Sequence, residues 1–166
     1  ALGHTLDRCG WSDDWLIEFN HASAQQLLAL RVRGTVPPLE ITMAAASGLI
    51  PTRVLLVVEE KAQLELLQVF SGRGDAAHSH LLEVHLGQEA QLNHGVLACA
   101  DGVASLFAQC AVEQEPRSTY TFTSVVQGWS LGRIEPRVIQ VDGQASTTLK
   151  GLAVADAEQQ LAVHTS

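Results

Sequence analysis

The chain has 166 residues, 46% of them apolar, and carries 18 acidic against 10 basic side chains for a formal charge of −8. That length suits one domain with a real core, and the apolar content excludes a disordered chain. The acidic balance, unbroken by any Lys/Arg cluster, argues against nucleic acid and anionic membrane as partners, since both need a basic footprint.

No apolar run approaches the ~20 residues of a membrane-spanning helix. The chain opens Ala1-Leu2-Gly3-His4, with neither a Met nor a basic and then apolar leader, so a piece of something longer is expected. From the N-terminus, Ala22 to Leu30 is the one helical-looking stretch, rich in Ala and Leu. Alternation of Leu28, Leu30 and Val32 favours a strand from Leu27 onward. Val54-Leu55-Leu56-Val57-Val58 is a continuous apolar run, as in a strand covered on both faces. Leu82, Val84 and Leu86 alternate in the next strand. Thr119 to Val126 is β-branched and aromatic, and Val138-Ile139-Gln140-Val141 closes the series. Gly and Pro punctuate the intervals, which fits short strands joined by turns and leaves no space for crossover helices.

Chemistry-bearing residues are sparse. Gly72 is followed by His78-Ser79-His80 and then Glu83, which is similar to the first metal motif of the cupins. On a strand His78 and His80 share a face and could share one metal ion, with Glu83 as the third ligand. Against this, Glu83 follows after two residues where the cupin pattern has three or four, and no second motif lies downstream. The bland reading makes His78 and His80 exposed polar residues where a strand begins. His85 lies on the face opposite Val84 and reads as a solvated or rim residue, and His94 as a turn-associated hydrogen-bonding residue. Cys9, Cys99 and Cys110 form no CxxC pair, so no zinc ribbon or thioredoxin-type site is indicated and a reducing compartment is the default. Cys99 and Cys110 read as small apolar core residues rather than ligands of iron or sulfur. No Gly-x-Ser-x-Gly elbow or phosphate-binding loop is present.

A loose internal repeat organises the chain. Val58-Glu59-Glu60-Lys61-Ala62-Gln63-Leu64 returns as Leu86-Gly87-Gln88-Glu89-Ala90-Gln91-Leu92 and as Val141-Asp142-Gly143-Gln144-Ala145-Ser146-Thr147. Ala62 and Ala90 are 28 residues apart, and Ala90 and Ala145 are 55 apart, close to twice that. The skipped copy falls near Arg117 and is the weakest. Such a period predicts an all-β solenoid of about 28-residue turns, each burying its apolar face against its neighbours. Six turns would rise roughly 29 Å at the spacing of stacked strands. A closed barrel is the competitor, but a barrel does not require a sequence repeat at a full turn. One domain over 1–166 is expected, with 1–30 as a lead-in and 31–166 as solenoid turns.

The stretch from Pro136 to Leu152, continued by Gln159-Gln160-Leu161 and His164-Thr165, resembles the core of the SufB/SufD family. Val57 to Leu64 and Leu86 to His94 match earlier turns, and the likeness spans about residues 30 to 166, closer to SufD than to SufB. Ala162 and Val163 depart from it, standing where the family often has Asp and a polar residue. The resemblance implies a right-handed parallel β-helix, truncated at both ends, within the Suf iron–sulfur cluster assembly machinery of the cytoplasm or plastid stroma. It implies SufB-like and SufC-like partners and a transient iron–sulfur cluster in the full complex, with no tightly bound cofactor. No functional residue is carried over. The leading expectation is thus a non-enzymatic scaffold whose isolated chain self-associates through its uncovered end. The alternative is a cupin-like metal enzyme using His78, His80 and Glu83. A carbohydrate-binding or lyase-type β-helix is weaker, because the rows of exposed aromatics that sugar sites use are missing.

Overall fold

A computed structural model describes residues 4–11 and 14–166; the first three residues of the expected lead-in, Ala1–Gly3, lie outside the described residues. Two short helices, α1 (His4–Arg8) and α2 (Trp15–Ser23), precede eleven strands. These are β1 (Leu28–Val32), β2 (Leu39–Ala45), β3 (Leu49–Val58), β4 (Gln63–Gly72), β5 (Ala77–Leu86) and β6 (Gln91–Ala100). They continue with β7 (Ser105–Gln114), β8 (Thr119–Gln127), β9 (Leu131–Gln140), β10 (Ser146–Val154) and β11 (Gln160–Val163). Odd strands form one parallel sheet in the order β1-β3-β5-β7-β9-β11, and even strands a second in the order β10-β8-β6-β4-β2. The chain alternates between the sheets and winds a parallel β-solenoid of about 5 turns, rather than the six expected. Most strands run 9 or 10 residues, longer than the sequence pattern suggested.

The repeat is a structural one. Leu49 pairs with Ala77 and Ala77 with Ser105, while Gln63 pairs with Gln91 and Gln91 with Thr119, a step of 28 residues each time. The copy that is weakest in sequence keeps this register to the residue. Lys61, Glu89, Arg117 and Gln144 all adopt positive φ, between 59° and 62°, at equivalent places in stacked turns. The Lys61 amide donates to the Gln88 carbonyl, and the Glu89 amide to that of Pro116. The ladder of the sheets therefore continues through the turns, which offsets the left-handed strain of a non-glycine residue. Pro116 occupies the position where a fixed φ suits a tight turn, so Arg117 follows the right residue even though its neighbours diverge.

Period-2 alternation carries the core. Leu64, Leu66 and Phe70 of β4 point inward and are buried, as do Leu82, Val84 and Leu86 of β5. Each such side chain contributes ~1.5–3 kcal/mol on leaving water. Gly72 faces the same lumen, and a Cβ there would stand 2.6 Å from the Trp129 ring and 2.7 Å from the Ala104 Cβ. Glycine at this position makes way for the largest side chain of the core. Asp14 caps α2 by accepting from the Leu16 amide at 2.9 Å. Leu6, Trp11 and Ile17 then lie on Leu81 and Ala111, forming a second, small core outside the odd-strand sheet.

Candidate functional site

Side chains of the two sheets meet inside the solenoid, where a file of polar groups interrupts the apolar packing. His80 of β5 lies one 28-residue step after Thr52, so both point into the lumen at one level. Thr52 Oγ1 stands 2.7 Å from His80 Nδ1, and Gln68 Nε2 is 2.9 Å from His80 Nε2. Gln68 Oε1 is 2.9 Å from His94 Nε2, and His94 Nδ1 is 3.0 Å from the Tyr120 hydroxyl, which lies 3.7 Å from Cys110 Sγ. One assignment of protons satisfies every member. The Cys110 thiol donates to Tyr120, the Tyr120 hydroxyl to His94, His94 Nε2–H to Gln68, the Gln68 amide to His80, and His80 Nδ1–H to Thr52. Thr52 Oγ1 is left to donate to Met43 Sδ at 3.8 Å.

Every imidazole in this file must be neutral for that pattern to close. Burial pushes His80 down to about 3, with the nearby His94 and His78 rings adding to the effect, and burial alone takes His94 to about 3. Burial also raises the Cys110 thiol to about 12 and Tyr120 well above its ordinary range. None of these groups is poised to exchange a proton near neutral pH. The file is a fully paired network that fixes the relative placement of the two sheets.

His78 also points inward, between Phe70 and Trp129, with ring centroids 6.1 and 5.6 Å away. Its Nε2 donates to the Ser71 carbonyl at 3.1 Å, and burial lowers its pKa. Both His78 and His80 are thus buried core residues, not exposed residues at the start of a strand. Glu83 falls on the other parity of β5 and faces outward, where Arg53 Nη2 lies 3.3 Å from its carboxylate. The structure therefore does not bring Glu83 together with His78 and His80. His94 is no turn residue: it shares its face with the buried Leu92, Val96 and Ala98 of β6. That apolar phase was the signal for its inward position.

The outward face of β5, β7 and β9 is equally polar. Asn20 of α2 donates to the Ser79 carbonyl at 2.8 Å. Glu135 accepts from Arg133 and Arg137, whose Nη2 atoms lie 2.5 and 2.7 Å from its carboxylate oxygens. Burial pushes the Glu135 carboxyl up, but the two guanidinium groups more than offset this and hold it below the usual range. Arg137 also covers the Trp11 ring at 4.5 Å. Cys9, beneath α1, is raised by burial to about 11. The three cysteines are all free thiols; Cys110 is buried, as a core reading expects, whereas Cys99 points out of β6 and is only half-buried. Among the described residues, His85, Glu113 and Glu115 are the group whose potential metal-ligand atoms lie within 4.8 Å of one another.

The whole is a parallel β-solenoid whose apolar lumen holds one file of paired, neutral polar groups. Residues 41–166 match the family described as SUF system FeS cluster assembly, SufBD core domain. The chain belongs to that family, which places it in iron–sulfur cluster assembly within a complex of protein partners. The matched span begins inside β2 and runs through every later strand. No curated protein and no solved structure matches the chain. No helix among the described residues is long and apolar enough to cross a membrane.

Proposed function

We propose that this chain is a SufD-like scaffold subunit, non-catalytic itself, that serves iron–sulfur cluster assembly through contacts with SufB-like and SufC-like subunits. The observation that carries the reading is the SufBD core match over residues 41–166, which takes in most of β2 and all of β3 to β11 of the solenoid. The chemistry of the lumen agrees with it, because His80, His94, Tyr120 and Cys110 are spent on one another and held neutral.

The test is sedimentation of the chain alone, with a SufB-like subunit, and with SufB-like and SufC-like subunits together. A stable complex with the SufB-like subunit is expected. A chain that sediments unchanged in both mixtures would sink the scaffold reading. The cluster is cargo here, so iron and sulfide are expected in the assembled complex and not as a resident group of this lumen.

A further inference from the structure

The odd-strand sheet brings three ligand-bearing residues to one place on its outer face. His85 of β5 and Glu113 of β7 are direct partners across the parallel ladder. Glu115 lies one residue past the end of β7, where its amide still donates to the Leu86 carbonyl and continues the ladder beside His85. One ligand atom from each of the three lies within 4.8 Å of the others. They adjoin a cavity of about 360 Å³ lined by His4, Thr5, Leu55, Val57, His85 and Glu113. Leu55 and Val57 form its apolar wall, and α1 forms its roof.

Glu113 supplies the second, independent observation. Its side chain is only 5% exposed, and its Oε1 accepts from Arg8 Nη1 at 2.6 Å. Its Oε2 is buried and has no hydrogen-bond partner. His4 Nδ1 is 3.4 Å from that atom without the alignment of a hydrogen bond. A bare carboxylate oxygen in such a place costs free energy unless a cation completes it, and Arg8 already serves the other oxygen. With Arg8 counted and the histidines neutral, the local charge is −1 before a ligand arrives, from two carboxylates and one guanidinium.

From this we propose that His85, Glu113 and Glu115 bind one divalent transition-metal ion, with His4 placed to join them as a fourth ligand. An imidazole with two carboxylates is a donor set for iron(II), zinc, cobalt(II) or manganese(II) rather than for calcium or magnesium, which take oxygen alone. The apolar wall and the α1 roof exclude part of the solvent, while half-buried His85 and Glu115 leave a path inward. The site does not depend on the reading under Proposed function, because neither the lumen nor the sheet edges contribute to it. It also lies outside the cupin-like triad, sharing no residue with His78, His80 and Glu83.

The experiment is anaerobic titration of the full chain with cobalt(II), followed by the visible d–d absorption and then by displacement with zinc. The wild-type chain is expected to bind one equivalent. His85→Ala and Glu115→Gln are each expected to weaken binding by more than about tenfold, since even outer-shell partners of a metal site cost about 10–100-fold. Both positions are half-exposed, so circular dichroism and the thermal transition are expected to match the wild type. His164→Ala, at an exposed histidine elsewhere, should bind cobalt as the wild type does. Absence of saturable cobalt binding, or retention of full affinity in either of the two ligand variants, would overturn the proposal.

Discussion

The two sheets of the solenoid are built on the same alternation yet live in different surroundings. β4 reads exposed, buried, exposed, buried along its first six residues, whereas β5 is buried at every position from His78 to Val84. The difference comes from outside the solenoid, because α1, α2 and Trp11 lie on the outer face of β5 and β7. Polar residues on that face are screened from water, and Ser79 and Glu135 are paired there, while the outward residues of β4, β6 and β8 meet water. A two-layer solenoid has acquired a third layer on one side only.

The largest expected effect separates the sheets directly. Leu81 points outward from β5 and is fully buried, while Leu67 points outward from β4 and is 38% exposed. Leu81→Ala should cost about 2–5 kcal/mol of unfolding free energy, and Leu67→Ala below about 1 kcal/mol, measured by urea denaturation. Equal losses at the two positions would break the comparison.

The lumen, shared by both sheets, provides the next test. Tyr120→Phe deprives His94 Nδ1 of its donor and should cost about 1–3 kcal/mol. His80 and His94 have folded pKa values of about 3, against about 6.5 in an unfolded chain. The unfolded state then binds protons that the native state refuses, so their contribution is full above about pH 6.5 and is lost progressively as pH falls toward about 3. A His80→Gln/His94→Gln double variant should be less stable at pH 7 and show a shallower loss of stability between those limits. A slope identical to that of the wild type would remove the histidines as its cause.

Ion pairs sharpen the contrast at smaller scale. Glu135→Gln should cost about 2 kcal/mol, below the range for a fully buried pair because Arg133 and Arg137 keep some solvent. Glu89→Gln, which breaks the exposed pair with Arg117, should cost less than about 1 kcal/mol. The depressed Glu135 carboxyl stabilises the fold above the unfolded value of about 4.3, and that contribution disappears as pH falls through its lower folded value. Glu135→Gln should therefore flatten the acid limb of the stability profile. An unchanged limb would show that its two arginines are not the source of the shift.

Period and alternation by themselves pointed to an all-β solenoid, and the family resemblance added that its strands run parallel. Both are local properties: a 28-residue repeat stacks like on like, and every second residue of a strand faces one way. The same logic located the buried Leu82, Val84 and Leu86, whereas Glu83, grouped with His78 and His80 on motif spacing, faces the other way in the structure. Only the tertiary structure decided which outward faces were covered, because that depends on where α1 and α2 dock, many residues from the strands they bury. It also decided that His80, Gln68, His94 and Tyr120, each unremarked or ambiguous in sequence, close into one file. Its hydrogen bonds join residues 12 apart between the sheets and 26 apart within the even-strand sheet, and the period-2 alternation of a strand encodes neither distance. The meeting of His85 with Glu113 and Glu115 arises in the same way, since a full turn of the solenoid must close before those side chains become neighbours.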